Sequence, residues 1–423
     1  MKVMKIISLF TLLSLFFGRP GAKPEKTEAE KIAEAYAACI TESVVFAEND
    51  DYAPDGDYIG IKAITVDGFT VDGEKTKFFA YVAYPEDADE NTPGVVLVHG
   101  GGGHSYLPWV KQWIDRGYAV IAPDVTGYFP TEKGAGDSET DTRWTRTPSA
   151  FLDGGKPIPD NDGMAHSSES AEKQWMYHAV GAVIRSFSLL ADSGKVAPDK
   201  IGAVGISWGA VIVTEYIGFD PRPAFAVPIY GSAYLSDSLA YMGATFSEPA
   251  TKELWSAEDR LDGVKCPVLW LSSDLDGNFS PNSNSLSYLK TAKTDGTRLS
   301  IVKGLAHSHS AAWERKEPLV FADSIVNGGE EMPLFVTLPT GDSVECEVRG
   351  GTTARLYYLT ENPTYSLKDE DDPLSTMPDY EWKKTEVKMA DGKLVGEIPE
   401  NAVVYYISVT ESGCTVSSPL TKR

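Results

Sequence analysis

Cysteine, histidine and positive charge are all in short supply in this chain. The 423 residues carry four cysteines, Cys39, Cys266, Cys346 and Cys414, and six histidines. The cysteine spacings match no metal-binding pattern, so no thiolate metal centre is expected. In an exported chain a Cys346–Cys414 bridge is compatible with the sequence, and so are four free thiols. Lys and Arg number 38 against 61 Asp and Glu, for a net charge of −23. Such an excess of acid argues against nucleic acid or an anionic membrane surface as a partner, and suits a neutral or cationic substrate. Long apolar runs are missing too. Residues 6–17 form one of 12 residues, short of the roughly 20 needed to span a bilayer, and no later run reaches that length.

That short run follows Lys2 and Lys5 and precedes the small residues Gly18, Gly21 and Ala22. A basic start, a short apolar stretch and small residues are the layout of a secretory signal peptide. The expectation is a signal over residues 1–22, a secreted or periplasmic protein, and no membrane contact once the signal is removed.

Beyond it, residues 25–40 carry an Ala/Glu/Lys helix pattern, read as an N-terminal arm. Two strand-like stretches, 58–66 and 77–84, flank Asp72-Gly73, a hairpin-like turn. Short runs that are apolar on both faces then recur at 94–98, 118–123, 201–204, 224–229, 267–271 and 299–302. Helix-compatible segments lie between them, at 108–115, 171–192 and after residue 207. Strands of that kind, alternating with helices, belong to a doubly wound, mostly parallel sheet covered on both sides. One connection, from Pro123 to about Ala171, is unusually long, polar and rich in Gly and Pro. It begins at the carboxyl end of a strand and so should border the mouth of a site. Within it, Trp144 and Phe151 are candidates either for an aromatic substrate wall or for anchors of the loop. After Asn327-Gly328-Gly329 the helix signals vanish and alternating segments take over, as in 334–338, 354–359 and 403–409. This predicts a small all-β sandwich over 331–423, following an α/β catalytic domain over 23–330. Its acidic run 369–372 lacks EF-hand spacing and reads as a solvated loop.

Gly205-Ile206-Ser207-Trp208-Gly209 joins an apolar strand candidate to an apolar helix candidate. A G-x-S-x-G turn in that setting pushes a serine hydroxyl out at the carboxyl edge of a sheet. A serine hydroxyl near neutral pH is a weak nucleophile. It needs a base, an acid to orient that base, and donors for the developing oxyanion. After the next strand candidate come Asp274 and Asp276. Asp276 opens a D-x-x-x-x-P turn ending at Pro281 and is taken as the acid, with Asp274 as the alternate. After the following strand comes Gly304-Leu305-Ala306-His307-Ser308-His309. His307 is taken as the base, with His309 as the alternate. The glycine run from Gly100 to Gly103, after the first parallel strand, is not followed by Gly-Lys-Ser/Thr and so is no phosphate cradle. It suits an oxyanion loop, with Gly101 and Trp208 N–H groups as the two donors. His99 reads as a brace of that loop, and His104 as a residue that could line the pocket.

Together, the HGGGG loop, the GISWGA turn, the late aspartate and the HSH loop resemble an α/β-hydrolase over roughly residues 55–328. Within that superfamily they are most similar to the dienelactone hydrolase and acetyl xylan esterase branch, which borders the prolyl-oligopeptidase-like hydrolases. The resemblance implies an α/β-hydrolase fold with a C-terminal immunoglobulin- or fibronectin III-like sandwich, and a serine hydrolase of carboxylic esters that uses no metal or organic cofactor. Carbohydrate acyl esters are the substrate class it favours. Gly101 stands where acetyl xylan esterases more often carry the tyrosine of an H-G-Y loop. A prolyl-oligopeptidase-like peptidase is the alternative, although residues before 94 are too few for the propeller of that group. A non-catalytic glycan-binding protein is a third reading.

Overall fold

In the computed structural model the described residues are 25–423, except 145–146, 150–153, 163, 341–342 and 370; the side chains of 372–375 are likewise not described. The signal peptide expected at 1–22, and Phe151, lie outside them.

The chain first forms helix α1 (Glu28–Thr41), opened by a capping box in which Thr27 and Glu30 satisfy each other's backbone N–H groups. Strand β1 (Phe46–Glu48) leads to β2 (Lys62–Val71) and β3 (Glu74–Ala83). The β2–β3 turn is Asp72-Gly73, both at positive φ (50° and 81°), which matches the right-handed twist of a hairpin. The strand expected from residue 58 starts only at Lys62, because Gly56–Tyr58 close a single 3-10 turn. Then come β4 (Gly94–Val98), helix α2 (Leu107–Ile114) and β5 (Ala119–Pro123). Two-residue strands β6 (Tyr128–Phe129) and β7 (Thr147–Pro148) pair inside the long connection. Helix α3 (Trp175–Ala191), β8 (Ile201–Ile206), helix α4 (Trp208–Phe219), β9 (Ala226–Ile229), β10 (Leu269–Ser273) and β11 (Arg298–Val302) complete this part.

Nine of these strands form one sheet in the order β1-β2-β3-β5-β4-β8-β9-β10-β11. The pairs from β5 through to β11 are parallel, and the β1–β2, β2–β3 and β3–β5 pairs are antiparallel. Strands β4, β5, β8, β9, β10 and β11 are buried along their whole length, as strands covered on both faces must be. From β4 the chain winds outward to β5 and then returns to add β8 on β4's other side. The loops leaving β4 and β8 therefore face each other across a topological switch point, where ligands enter such sheets. This is an α/β-hydrolase sheet.

The C-terminal strands form two antiparallel sheets consistent with a β-sandwich. One is β12 (Leu334–Phe335), β13 (Ser343–Arg349), β19 (Lys393–Glu397) and β18 (Lys388–Ala390). The other joins β17 (Lys383–Glu386), β14 (Thr353–Leu359), β20 (Val404–Glu411) and β21 (Cys414–Ser417), with β22 (Thr421–Lys422) added to β20. A separate hairpin pairs β15 (Tyr365–Asp369) with β16 (Asp372–Pro378). Strand β13 alternates buried and exposed, whereas β20 is buried through its first six residues. The difference arises because the second sheet also leans on the hydrolase sheet: Ser417 Oγ on β21 accepts from the Ile301 N–H on edge strand β11 at 3.1 Å. An exposed strand edge is thereby covered, and one continuous apolar core runs through both parts.

All four cysteines are buried and unpaired, and burial pushes the thiols of Cys39, Cys346 and Cys414 up to about 11 and that of Cys266 to about 12. Thiolate is the reactive form, so all four should resist an aromatic disulfide reagent in the native protein and react together on denaturation. Two rather than four reactive thiols in the denatured, unreduced protein would reveal a bridge.

Candidate active site

Ser207 sits at the junction of β8 and α4 with φ 57° and ψ −121°, a backbone state that a residue with a side chain seldom adopts. The flanking glycines are required by close approach. A Cβ on Gly205 would lie 2.2 Å from the Gly209 carbonyl oxygen, and one on Gly209 would lie 2.1 Å from the Val98 carbonyl oxygen. Helix α4 is thus pressed against the end of β4, and the serine is the residue pushed outward.

Two hydrogen bonds run away from Ser207. Its Oγ lies 2.8 Å from His307 Nε2, and His307 Nδ1 lies 2.6 Å from Asp276 Oδ2. The carboxylate of Asp276 is buried, and its other oxygen accepts the N–H groups of Asn278 and Phe279 at 3.0 and 2.9 Å. An acceptor so oriented leaves the proton on Nδ1 and the lone pair on Nε2, facing the serine. His307 lies between the rings of Tyr230 (4.6 Å) and Phe279 (5.8 Å). Burial lowers its pKa, but the charge of Asp276 and the hydrogen bond to it outweigh burial, and the net shift is upward.

The two alternates are engaged elsewhere. Asp274 Oδ1 accepts the Gly304 N–H and Oδ2 pairs with Lys303, each at 2.6 Å, so this carboxylate ties the acid loop to the histidine loop from beneath. His309 Nε2 accepts the Gly100 N–H at 2.9 Å, and its Nδ1 faces the Tyr106 hydroxyl at 3.3 Å. Burial, then the neighbouring His99, His104 and His307, push His309 down to about 3. It stays neutral and remains an acceptor.

The glycine loop after β4 lies beside Ser207. The Gly100 N–H is taken by His309. Among the described residues no hydrogen bond to the Gly101 or Trp208 N–H is found, so both are free to receive an incoming oxygen. Gly101 rests on the Trp208 indole, where a Cβ would approach Cδ1 to 2.5 Å. Below, His99 is buried, with Nδ1 on the Gly100 carbonyl and Nε2 accepting the Val125 N–H. His104 is buried away from the serine, stacked on Trp144 at 4.7 Å. Trp144 also packs on Phe79 and Tyr81, so it anchors the long loop.

An open cleft of about 630 Å³ reaches Ser207. The long connection supplies Thr126, Tyr128 and Asp160 to its wall, and Tyr241 faces them beside Trp208. The wall thus mixes polar and aromatic groups and bears negative charge.

Several contributors carry no sequence signal. Tyr230, at φ 38° beyond β9, donates its hydroxyl to the Ser308 carbonyl at 2.6 Å and fixes the HSH loop. Glu139, in the long connection, accepts the Ser310 N–H. Both reach the site from afar, and no local motif marks them.

Gly205→Ala should destabilise the fold by about 1–3 kcal/mol or more, since nothing around the new methyl can yield except backbone. A urea midpoint unchanged from wild type would contradict the tight-turn geometry.

With this geometry in place, the relatives are informative. The Dienelactone hydrolase family profile matches residues 78–317. Dipeptidyl-peptidase 5 of Aspergillus oryzae is 26% identical over 262 residues, covering 56% of this chain and 31% of the relative. The chain therefore spans about a third of the length of the curated relatives it matches first. Among solved structures, an acetyl xylan esterase from Paenibacillus sp. R4 aligns over 72% of this chain and 96% of its own, at 14% identity and a TM-score of 0.49. The acylaminoacyl peptidase of Pyrococcus horikoshii aligns over 63% and 42%, at 15% and 0.43. A profile match over more than half the chain, on a sheet and turn of this kind, means that the protein belongs to the dienelactone hydrolase family.

Proposed function

We propose that the protein is an exported serine hydrolase that cleaves carboxylic esters, with acyl groups on carbohydrates as the favoured substrates. The observation that carries this reading is the unbroken chain Ser207–His307–Asp276, at 2.8 and 2.6 Å, at the floor of an open cleft. Ser207 Oγ attacks the acyl carbon while His307 Nε2 takes its proton. Asp276 holds the imidazole and balances the positive charge it acquires. The carbonyl oxygen, now an oxyanion, receives the Gly101 and Trp208 N–H groups. The imidazolium then returns its proton to the departing alkoxide, releasing the alcohol and leaving the acyl group on Ser207. Water, deprotonated by His307, attacks that acyl carbon, and collapse of the second oxyanion frees the acid and restores the serine. No step requires a cofactor.

Polar groups and aromatic rings in the cleft wall suit a hydroxyl-rich alcohol, and Asp160 disfavours a carboxylate-bearing one. Peptide bonds are the second reading, because the curated relatives are named dipeptidyl-peptidases. A panel of neutral acetyl esters, their carboxylated counterparts, acetylated sugars and peptide anilides separates these. Neutral and sugar esters should be turned over best, with the rate falling at least about 10³-fold in Ser207→Ala. Turnover confined to the anilides would shift the function to a peptidase, and full activity in Ser207→Ala would remove the catalytic reading altogether.

His309 supports the oxyanion loop instead of moving protons. His309→Leu removes the acceptor for Gly100 and should lower kcat about tenfold or more with little change in KM. His309→Gln can present an oxygen near the Nε2 position and should recover most of the loss. His307→Ala, by contrast, should cost about as much as Ser207→Ala. Equal activity of His309→Leu and wild type would refute the bracing role.

A further inference from the structure

The acid loop is held on its outer side by the C-terminal part of the chain. Tyr365 donates its hydroxyl to the Asp276 carbonyl at 3.0 Å. Tyr380 donates to the Asp274 carbonyl at 3.2 Å, and Trp382 Nε1 donates to that same oxygen at 3.1 Å. The Tyr365 and Tyr380 hydroxyl oxygens also lie in hydrogen-bond contact, so the one proton each carries is shared among these three contacts, and the rings meet edge to face. Gly277 lies directly under the Tyr365 ring, where a Cβ would come within 2.7 Å of Cδ1. The cluster is rooted in the sandwich, since Trp382 is buried and packs edge-on against Tyr406 of β20 at 5.0 Å. Three donors from 89 to 108 residues away in sequence therefore converge on two carbonyls of one short loop.

That loop carries the carboxylate facing His307. Its local bonds, from the Asn278 and Phe279 N–H groups, orient the Asp276 side chain within the loop but do not hold the loop against the molecule. Lys303 and Gly304 tether it from the histidine side through Asp274, and the aromatic cluster tethers it from the other. Elsewhere the C-terminal part meets the hydrolase part through contacts that do not involve the loop carbonyls, such as Ser417 Oγ with the Ile301 N–H and the Thr415 N–H with Glu317 Oε1.

We propose that Tyr365 and Tyr380 are positioning residues: they hold the loop of Asp276, and through it the His307 imidazole, in line with Ser207, so that the C-terminal part completes the active site. This rests on the Ser207–His307–Asp276 assignment made above. Displacing a catalytic group by about 1 Å can cost on the order of 100-fold in rate, and neither tyrosine touches the cleft around Ser207.

The test compares Tyr365→Phe, Tyr365→Phe/Tyr380→Phe and, as a control that removes another hydrogen bond of the same junction without touching the Asp274 or Asp276 carbonyls, Ser417→Ala, all in the full chain. Thermal unfolding reports the cost to the fold. Ester kinetics across pH and the NMR titration of the His307 Nδ1–H report the site. The titratable groups around His307 are Asp276, Tyr230 and the neutral His309, with Asp274 paired to Lys303 and Glu139 bonded at Ser310. The substitutions leave all of them in place. Asp276 raises the His307 pKa, and the base must be neutral to act. A loosened Asp276 should therefore move both the NMR titration and the acid limb of kcat/KM to lower pH. In the double variant kcat at the plateau should fall roughly 10- to 50-fold with KM within about twofold, and Tyr365→Phe alone should lie between. Ser417→Ala should lose stability with neither titration nor plateau altered. Wild-type titration and kcat in the double variant would overturn the proposal, as would a loss of activity matched by the unfolded fraction alone. A wild type inactive on every ester would count against the catalytic reading, while the NMR titration would still decide whether the cluster controls the Asp276–His307 contact.

Discussion

Everything at this site hangs on the close approach of helix α4 to the end of strand β4. A turn that carries Ser207 at φ 57° is costly on its own, on the order of 1–3 kcal/mol, and persists only where its surroundings leave no other path. Here those surroundings are backbone: the Val98 carbonyl against Gly209, and the Gly209 carbonyl against Gly205. Because nothing softer than main chain lines the turn, the serine hydroxyl has one place to go. The same approach brings the glycine loop after β4 alongside, so the Ser207 hydroxyl and the N–H groups of Gly101 and Trp208, unbonded among the described residues, come from one packing event.

Around this fixed point, the remaining groups reside on loops, and loops need external ties. The two adjoining aspartates divide the work by what their oxygens meet. Asp276 turns toward an imidazole, whereas Asp274 is consumed by Lys303 and a backbone N–H. The two histidines divide similarly. His307 is raised by its carboxylate and suited to take a proton, while His309 is pushed down to about 3 and suited only to accept a hydrogen bond. One charged neighbour or its absence separates residues that are two positions apart.

The parallel sheet was legible because its strands are apolar on both faces and bounded by Gly, Pro or Asp. The C-terminal sheets were legible as alternation in 354–359, whereas 403–409, read the same way, belongs to a strand buried through its first six residues. The start of β2 was misjudged by four residues, since Tyr58, Ile59 and Ile61 read as a strand, whereas the 3-10 turn over Gly56–Tyr58 and Gly60 at φ 100° turn the chain before Lys62. Trp144 could be named from its place in the long connection, but its anchoring role could not, because the aromatic residues it packs on lie on β3 and in the glycine loop.

By itself the amino-acid sequence determined the local geometry: where the turn of Ser207 falls, which loop can approach it without side chains, and the chain order of serine, aspartates and histidines. These are properties of short segments, set by steric size and by the spacing of apolar residues. Tertiary structure alone decided which aspartate faces which histidine, that Tyr230 and Glu139 hold the HSH loop, and that Tyr365, Tyr380 and Trp382 grip the acid loop from about a hundred residues away. Those contacts depend on strand order and on how the sandwich seats against β11. Both are outcomes of burying the whole apolar core at once, and no short stretch of residues encodes them.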